Sequence, residues 1–304
     1  MQRSLVRAHL TPIMLGLLAV AAAPAQAGDY LQVVLDPPAS NNIHTVLRPG
    51  DTVTYGRPGT AVSVSGSNSL RGDGVSVTAT NPSAMGLLAA SGGIISLTNS
   101  SISGFSAGAY ALDGGHIELV GGSVVSAAGP TLSSKGAGAA IHGKNLTITS
   151  LGSDPRTATG VGVFVDEGAQ VSLEASEITT SGLSASVQVR NPGSVAYLRD
   201  TRIFYQGNGG RAIAVFTGGR LEMTGGAIRS LADSAVSLAG GVITLTGVDI
   251  QHGENGSSSV GYGISAGDIA SSRSNVVTLE HVSLRSSYVA LNFEGTGTTL
   301  SAHD

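Results

Sequence analysis

The groups in this sequence that could move protons or hold a metal ion are twenty carboxylates and seven histidines. Cleaving a glycosidic bond by acid–base chemistry needs two carboxylates brought close together, and a calcium site needs several oxygen ligands. The carboxylates are instead spread thinly along the chain. Asp166-Glu167 is an adjacent pair, but neighbours on a strand point to opposite faces, so the pair is expected to be a solvated corner. Asp113 holds a similar place in an earlier repeat, which leaves open a small acidic strip with weak calcium affinity. His9, His44, His116, His142, His252, His281 and His303 are isolated, with no pair at metal-ligand spacing, and are expected at surface or turn positions. No metal site and no cofactor are expected. Gly263-Ile264-Ser265-Ala266-Gly267 has the letters of a nucleophile elbow without its strand-to-helix context. Asn99-Ser100-Ser101, Asn145-Leu146-Thr147 and Asn255-Gly256-Ser257 are sequons. No catalytic residue is assigned.

One tripeptide carries a binding hypothesis. Arg71-Gly72-Asp73, followed by Gly74, lies between apolar pairs at Val62/Val64 and Val75/Val77. In an exposed turn it would offer a guanidinium and a carboxylate on opposite sides, the pattern an integrin cleft reads. The competing reading is an ordinary Gly-Asp-Gly turn.

The scaffold around these groups has an unusual composition. Of 304 residues 44 are Gly, none is Cys or Trp, and only 12 % are charged. The formal charge is −4 and Lys135 and Lys144 are the only lysines. That balance argues against a nucleic-acid binder, which needs a basic patch. Arg3 and Arg7, the apolar run 13–23 and Ala25-Gln26-Ala27 form a secretory signal with the mature chain starting at Gly28. The lack of cysteine suits a chain that crosses oxidising compartments unfolded.

A repeat dominates the rest. Apolar residues fall at positions 1, 3 and 8 of a short frame in Ile95/Leu97/Ile102, Ile117/Leu119/Val124 and Val171/Leu173/Ile178. The frame recurs in Ala196/Leu198/Ile203, Leu221/Met223/Ile228, Ile243/Leu245/Ile250 and Val277/Leu279/Leu284, with a degenerate copy at Leu146/Ile148. A short alternating strand precedes most frames: Tyr110/Leu112, Val163/Val165, Val187/Val189, Ile213/Val215, Val236/Leu238. Gly-rich turns such as Gly114-Gly115 and Gly218-Gly219 join the two. Steps of about 22 to 25 residues between frames predict one coil of a parallel β-helix per repeat. The fold class expected is therefore all-β: a right-handed parallel β-helix of roughly eight to ten coils, about 40–50 Å long. Leucine-rich repeats, propellers and calcium-binding nonapeptide repeats each lack their mark here.

The expected organisation is a signal peptide over 1–27, a cap and first irregular coils over 28–84, and the repeat region over 85–304. Loops are expected at 127–138, 152–160, 205–211, 252–260 and 266–275.

Gly162-Val163-Phe164-Val165-Asp166-Glu167-Gly168-Ala169-Gln170-Val171-Ser172-Leu173 and the run from Gly210 to Ile228 resemble the pertactin-like autotransporter passenger repeat. The resemblance covers about residues 84–304. It implies a non-catalytic passenger acting in adhesion or virulence, exported to the cell surface or medium by an outer-membrane β-barrel translocator. It also implies a host cell-surface receptor or extracellular matrix as partner. The chain departs from that pattern by ending at His303-Asp304, within what reads as a further coil and with no barrel strands; without a translocator the expected location is the periplasm. Two alternatives stand beside it: a β-helix polysaccharide lyase or hydrolase, and a truncated remnant or structural stalk.

Overall fold

A computed structural model describes residues 4–7, 27–35, 42–152, 160–207, 209–231, 234–253, 261–267, 274–294 and 297–304. Every regular element among them is a β-strand, and every strand pairing is parallel. The chain winds as a parallel β-helix of about ten coils. One coil shows the plan: Ala185–Arg190, Val195–Arg199 and Arg202–Tyr205 lie on three successive sheets, and Arg211–Phe216 returns to the first. The first sheet runs from the end of Asp29–Leu35, which pairs with Gly59–Ser65, to Val289–Phe293, the second from His44–Leu47 to Thr298–His303, and the third from Thr52–Tyr55 to Ser283–Ser286.

The corners follow from local backbone chemistry. Between the first and second sheets, Ser91-Gly92, Asp113-Gly114, Glu167-Gly168 and Thr217-Gly218 all take positive φ at both residues. Each is closed by a backbone bond three residues apart, such as Gly115 N–H to Leu112 C=O. These are type I′ turns, which want glycine at the second position. Between the second and third sheets one left-handed residue makes the bend in most coils, with Asn99, Asn145, Ala175, Asp200 and Gly247 in one column, while Gly121-Gly122 and Gly225-Gly226 take positive φ at both residues. Their amides donate to the next coil, as Ala175 N–H does to Arg199 C=O.

The frame positions face inward. Ile95, Ile117, Val171, Leu221 and Ile243 are fully buried and stack in register, coil over coil. The copy at 146/148 is corrected by the structure: the frame there is Ile141/Gly143/Ile148. Leu146 and Leu173 fill the space a side chain at 143 would take, within 2.7 Å of where its Cβ would be. Leu70/Gly72/Val77 is a further copy, with Val75 and Leu97 filling in for Gly72. The expected alternation at Tyr110/Leu112 is off by one residue. Ala109 and Ala111 face inward because Leu87 and Leu132 on the neighbouring coils already fill that layer.

The interior also has a polar column at the end of the third sheet: Ser126, Ser150, Thr180, Tyr205, Ser230 and His252 are all buried. Tyr205 donates to Gly182 C=O at 2.7 Å, and His252 Nδ1 lies 2.9 Å from Ser286 Oγ. The expectation of a surface or turn position thus fails for His252, which occupies an inward strand position.

Leu132–Lys135, within the expected loop 127–138, is a strand of the first sheet. Residues 153–159, 254–260 and 268–273, in three of the other expected loops, lie outside the described residues, as does the apolar run 13–23. Ser4–Arg7 pairs in parallel with Asp29–Leu35.

Candidate functional site on the third sheet

Residues flanking an inward frame position point outward. On the third sheet these outward columns change character along the rod. The early coils present Thr52, Ser76, Ser101, Ser123 and Thr147 in one column. From Glu177 onward the same column carries Glu177, Arg202, Ala227, Asp249 and Ser283. Its neighbour carries Thr179, Phe204, Arg229, Gln251 and Arg285.

The small Ala227 between taller neighbours opens a depression of 490 Å³ lined by Arg202, Phe204, Gly226, Ala227 and Arg229. Phe204 is half-buried and Arg202 and Arg229 are exposed. The Arg229 guanidinium carbon lies 5.8 Å from the Phe204 ring centre, within range of a cation–π contact. Among the described residues, none of Arg202, Arg229 and Arg285 is in an ion pair. Their donors therefore face solvent and suit carboxylate oxygens in a planar fork geometry. Glu177 and Asp249 are exposed on the same column, three coils apart, or about 14 Å at the rung spacing of a β-sheet. Two carboxylates that work as a glycosidase pair stand about 5–9.5 Å apart, so these two cannot.

On the other two sheets several charges pair with one another. On the second sheet Lys144 Nζ meets Glu174 Oε1 at 3.0 Å, and the Lys144 ammonium holds the Glu174 carboxyl below its usual range. Arg220 meets Glu222 at 2.5 Å. On the first sheet the expected solvated corner is corrected: Asp166 is fully buried. Its Oδ2 accepts from Arg190 Nε at 2.9 Å and Nη2 at 2.8 Å, and its Oδ1 from Asn191 Nδ2 at 2.7 Å. Glu167 pairs with Lys135 at 3.2 Å. The acidic strip is thereby threaded with cations, and among the described residues no three His, Asp or Glu side chains converge to hold a metal ion.

The Arg71-Gly72-Asp73 tripeptide is strand, not turn: it lies within Ser69–Asp73 of the second sheet. Arg71 and Asp73 are exposed and share the outward face, while Gly72 takes the inward frame position. Asn99 Nδ2 donates to Asp73 Oδ1 at 3.3 Å.

Arg202, Phe204 and Arg229 belong to none of the sequence motifs singled out above. The signal was available at positions 7 and 9 of the repeat frame, where Ser and Thr give way to charged and aromatic residues.

No family model and no curated protein matches the chain. Solved structures do. A fold likeness at 12 % identity and a TM-score of 0.52, over 91 % of this chain and 62 % of the other, links it to the Agl-KA catalytic domain. A second, at 10 % identity and a TM-score of 0.51, covers 90 % of this chain and 42 % of the enzymatically active domain of bacteriophage CBA120 tailspike protein 2. The chain thus spans less than two thirds of the length of either structure. These likenesses establish the parallel β-helix. They also correct the expectation of a non-catalytic chain, because both matched chains are catalytic domains on this same fold. Sparse carboxylates are no ground for excluding an enzyme, since a coil repeat can bring together groups far apart in sequence.

Proposed function

We propose that this chain is an extracellular or surface-exposed β-helix that acts on acidic polysaccharide along the outer face of its third sheet. The observation that carries this reading is that Arg202 and Arg229, which have no ion-pair partner among the described residues, line one depression with the Phe204 ring, and Arg285 stands two coils beyond Arg229 in the same column. The sugar faces of a glycan stack on an aromatic ring, and its carboxylates match guanidinium forks. The hydroxyl column from Thr52 to Thr147 continues the track along the rod.

The spacing of the carboxylates favours elimination over hydrolysis. Elimination on a uronate needs cations on the sugar carboxylate and one base. Arg202 and Arg229 would neutralise that carboxylate and so acidify the adjoining C5–H. Asp249, one coil beyond Ala227, would take the C5 proton. The electron pair forms the C4–C5 double bond, the C4–O bond breaks, and a proton from water completes the leaving hydroxyl. The matched catalytic domains support an enzymatic reading of the fold, and the signal at 1–27 and the passenger resemblance support a place outside the cytoplasm.

The test is incubation with a panel of polyuronates, following release of unsaturated uronide ends. The expected result is release by the wild type, loss in Asp249→Asn and retention in Glu177→Gln. No unsaturated ends from any polyuronate would retire the reading.

A further inference from the structure

Asp51 is a fully buried carboxylate at the first bend of the rod. Its Oδ2 accepts from Arg48 N–H at 2.7 Å, and its Oδ1 accepts from the backbone N–H of Gly28 at 2.6 Å. Among the described residues it has no ion-pair partner. A buried carboxylate without a cation is unfavourable, and a charged donor would serve it better than a neutral amide.

Gly28 is the residue that follows Ala25-Gln26-Ala27. A further hydrogen bond holds it, and Tyr30 leaves no room for a larger residue. Its carbonyl accepts from Thr52 N–H at 2.9 Å, and a Cβ at 28 would meet the Tyr30 ring at 3.0–3.1 Å. Ala27, on the other side of the bond to be cut, is exposed.

We propose that cleavage after Ala27 creates a terminal ammonium at Gly28 that ion-pairs with buried Asp51 and locks the first coil. Processing then does more than remove a leader. It converts the amide hydrogen bond to Asp51 into a charge-assisted one and supplies the missing counter-charge. Position matters: a terminus one residue away places the ammonium about 3.5 Å further along the chain, out of contact with Oδ1. The inference depends on cleavage at this bond and is independent of the polysaccharide reading.

The test has two parts. The exported protein is sequenced from its N-terminus, and Gly28 is the expected first residue; any other start overturns the proposal. Thermal melts then compare protein starting at Gly28 with protein that retains Ala27, each with Asp51 and with Asp51→Asn. The Gly28 start is expected to raise Tm by about 3 °C, and Asp51→Asn to abolish the difference. Equal Tm for the two starts, or a difference that survives in Asp51→Asn, overturns it. Should Asp51→Asn fail to fold, acetylation of the Gly28 amine replaces it: the same fall in Tm supports the ion pair, and an unchanged Tm overturns it.

Discussion

Arg229 and Phe204 are register partners on neighbouring coils, with the guanidinium carbon 5.8 Å from the ring centre. The contact holds a cation at the edge of the depression without neutralising it. Removing either side chain leaves the inward frame untouched, since Ile203 and Ile228 carry the packing there. Phe204→Ala and Arg229→Ala are each expected to weaken binding of a polyuronate about tenfold, or about 1.4 kcal/mol, with Tm unchanged. Arg229→Lys should recover only part of the loss, because an ammonium lacks the planar fork. Affinity electrophoresis at rising salt checks this, with the wild type more salt-sensitive than Arg229→Ala.

The rod was legible in the sequence because its two constraints are local. Alternation within a strand and one left-handed residue at the bend together fix the spacing of Ile95, Leu97 and Ile102, and any coil that keeps both shows the same frame. Legibility failed where a neighbour supplies the missing volume. Gly143 hides a frame position because Leu146 and Leu173 fill it, and Ala109 faces inward because Leu87 and Leu132 flank it. The candidate site was missed for a different reason. Arg202, Phe204 and Arg229 are spread over two coils and have no short motif, so only the column register brings them together. Gly72 shows the converse: a recognisable tripeptide owes its glycine to the inward side of a strand.

Glycines of the same bend should tolerate substitution very differently. At Gly122, φ is +84° and a Cβ would run into the Ser100 carbonyl oxygen. At Gly247, φ is +63° and no atom lies within 4 Å of the Cβ position. Asn99 and Asn145 already occupy this column with φ of 49° and 54°. Gly122→Ala is expected to cost about 3 kcal/mol or more, from the left-handed backbone and the backbone clash together. Gly247→Asn should stay within about 0.5 kcal/mol of the wild type. Denaturant titration of the two variants measures the contrast.

Asp166 ties three groups to the first sheet: the Arg190 guanidinium, the Asn191 amide and the Glu167 backbone amide. Arg190 in turn lies over Phe164, with its guanidinium carbon 4.8 Å from the ring centre. The carboxylate is buried while the Arg190 side chain is 44 % exposed, so solvent screens part of the pair. Asp166→Ala is expected to destabilise by about 2 kcal/mol, less than a fully buried pair would. Arg190→Ala should also destabilise, since it leaves a buried charge unmatched. If the pair is coupled, the double variant costs less than the two single losses added, which a double-mutant cycle reads directly.

Alkaline sensitivity should come from two tyrosines. Burial pushes the Tyr110 phenol above its ordinary 10.0, against smaller lowering effects from the Ser133 hydrogen bond and the Lys135 charge. Burial also raises Tyr30, and the Asp51 carboxylate raises it further. In both cases the unfolded chain gives up its proton first. The stabilisation is therefore complete below about pH 10 and lost as pH rises past it toward the folded values. Tyr110→Phe and Tyr30→Phe, made together, should flatten the fall in Tm between pH 9 and 11 relative to the wild type. An equally steep fall in the double variant would assign the alkaline loss to other groups.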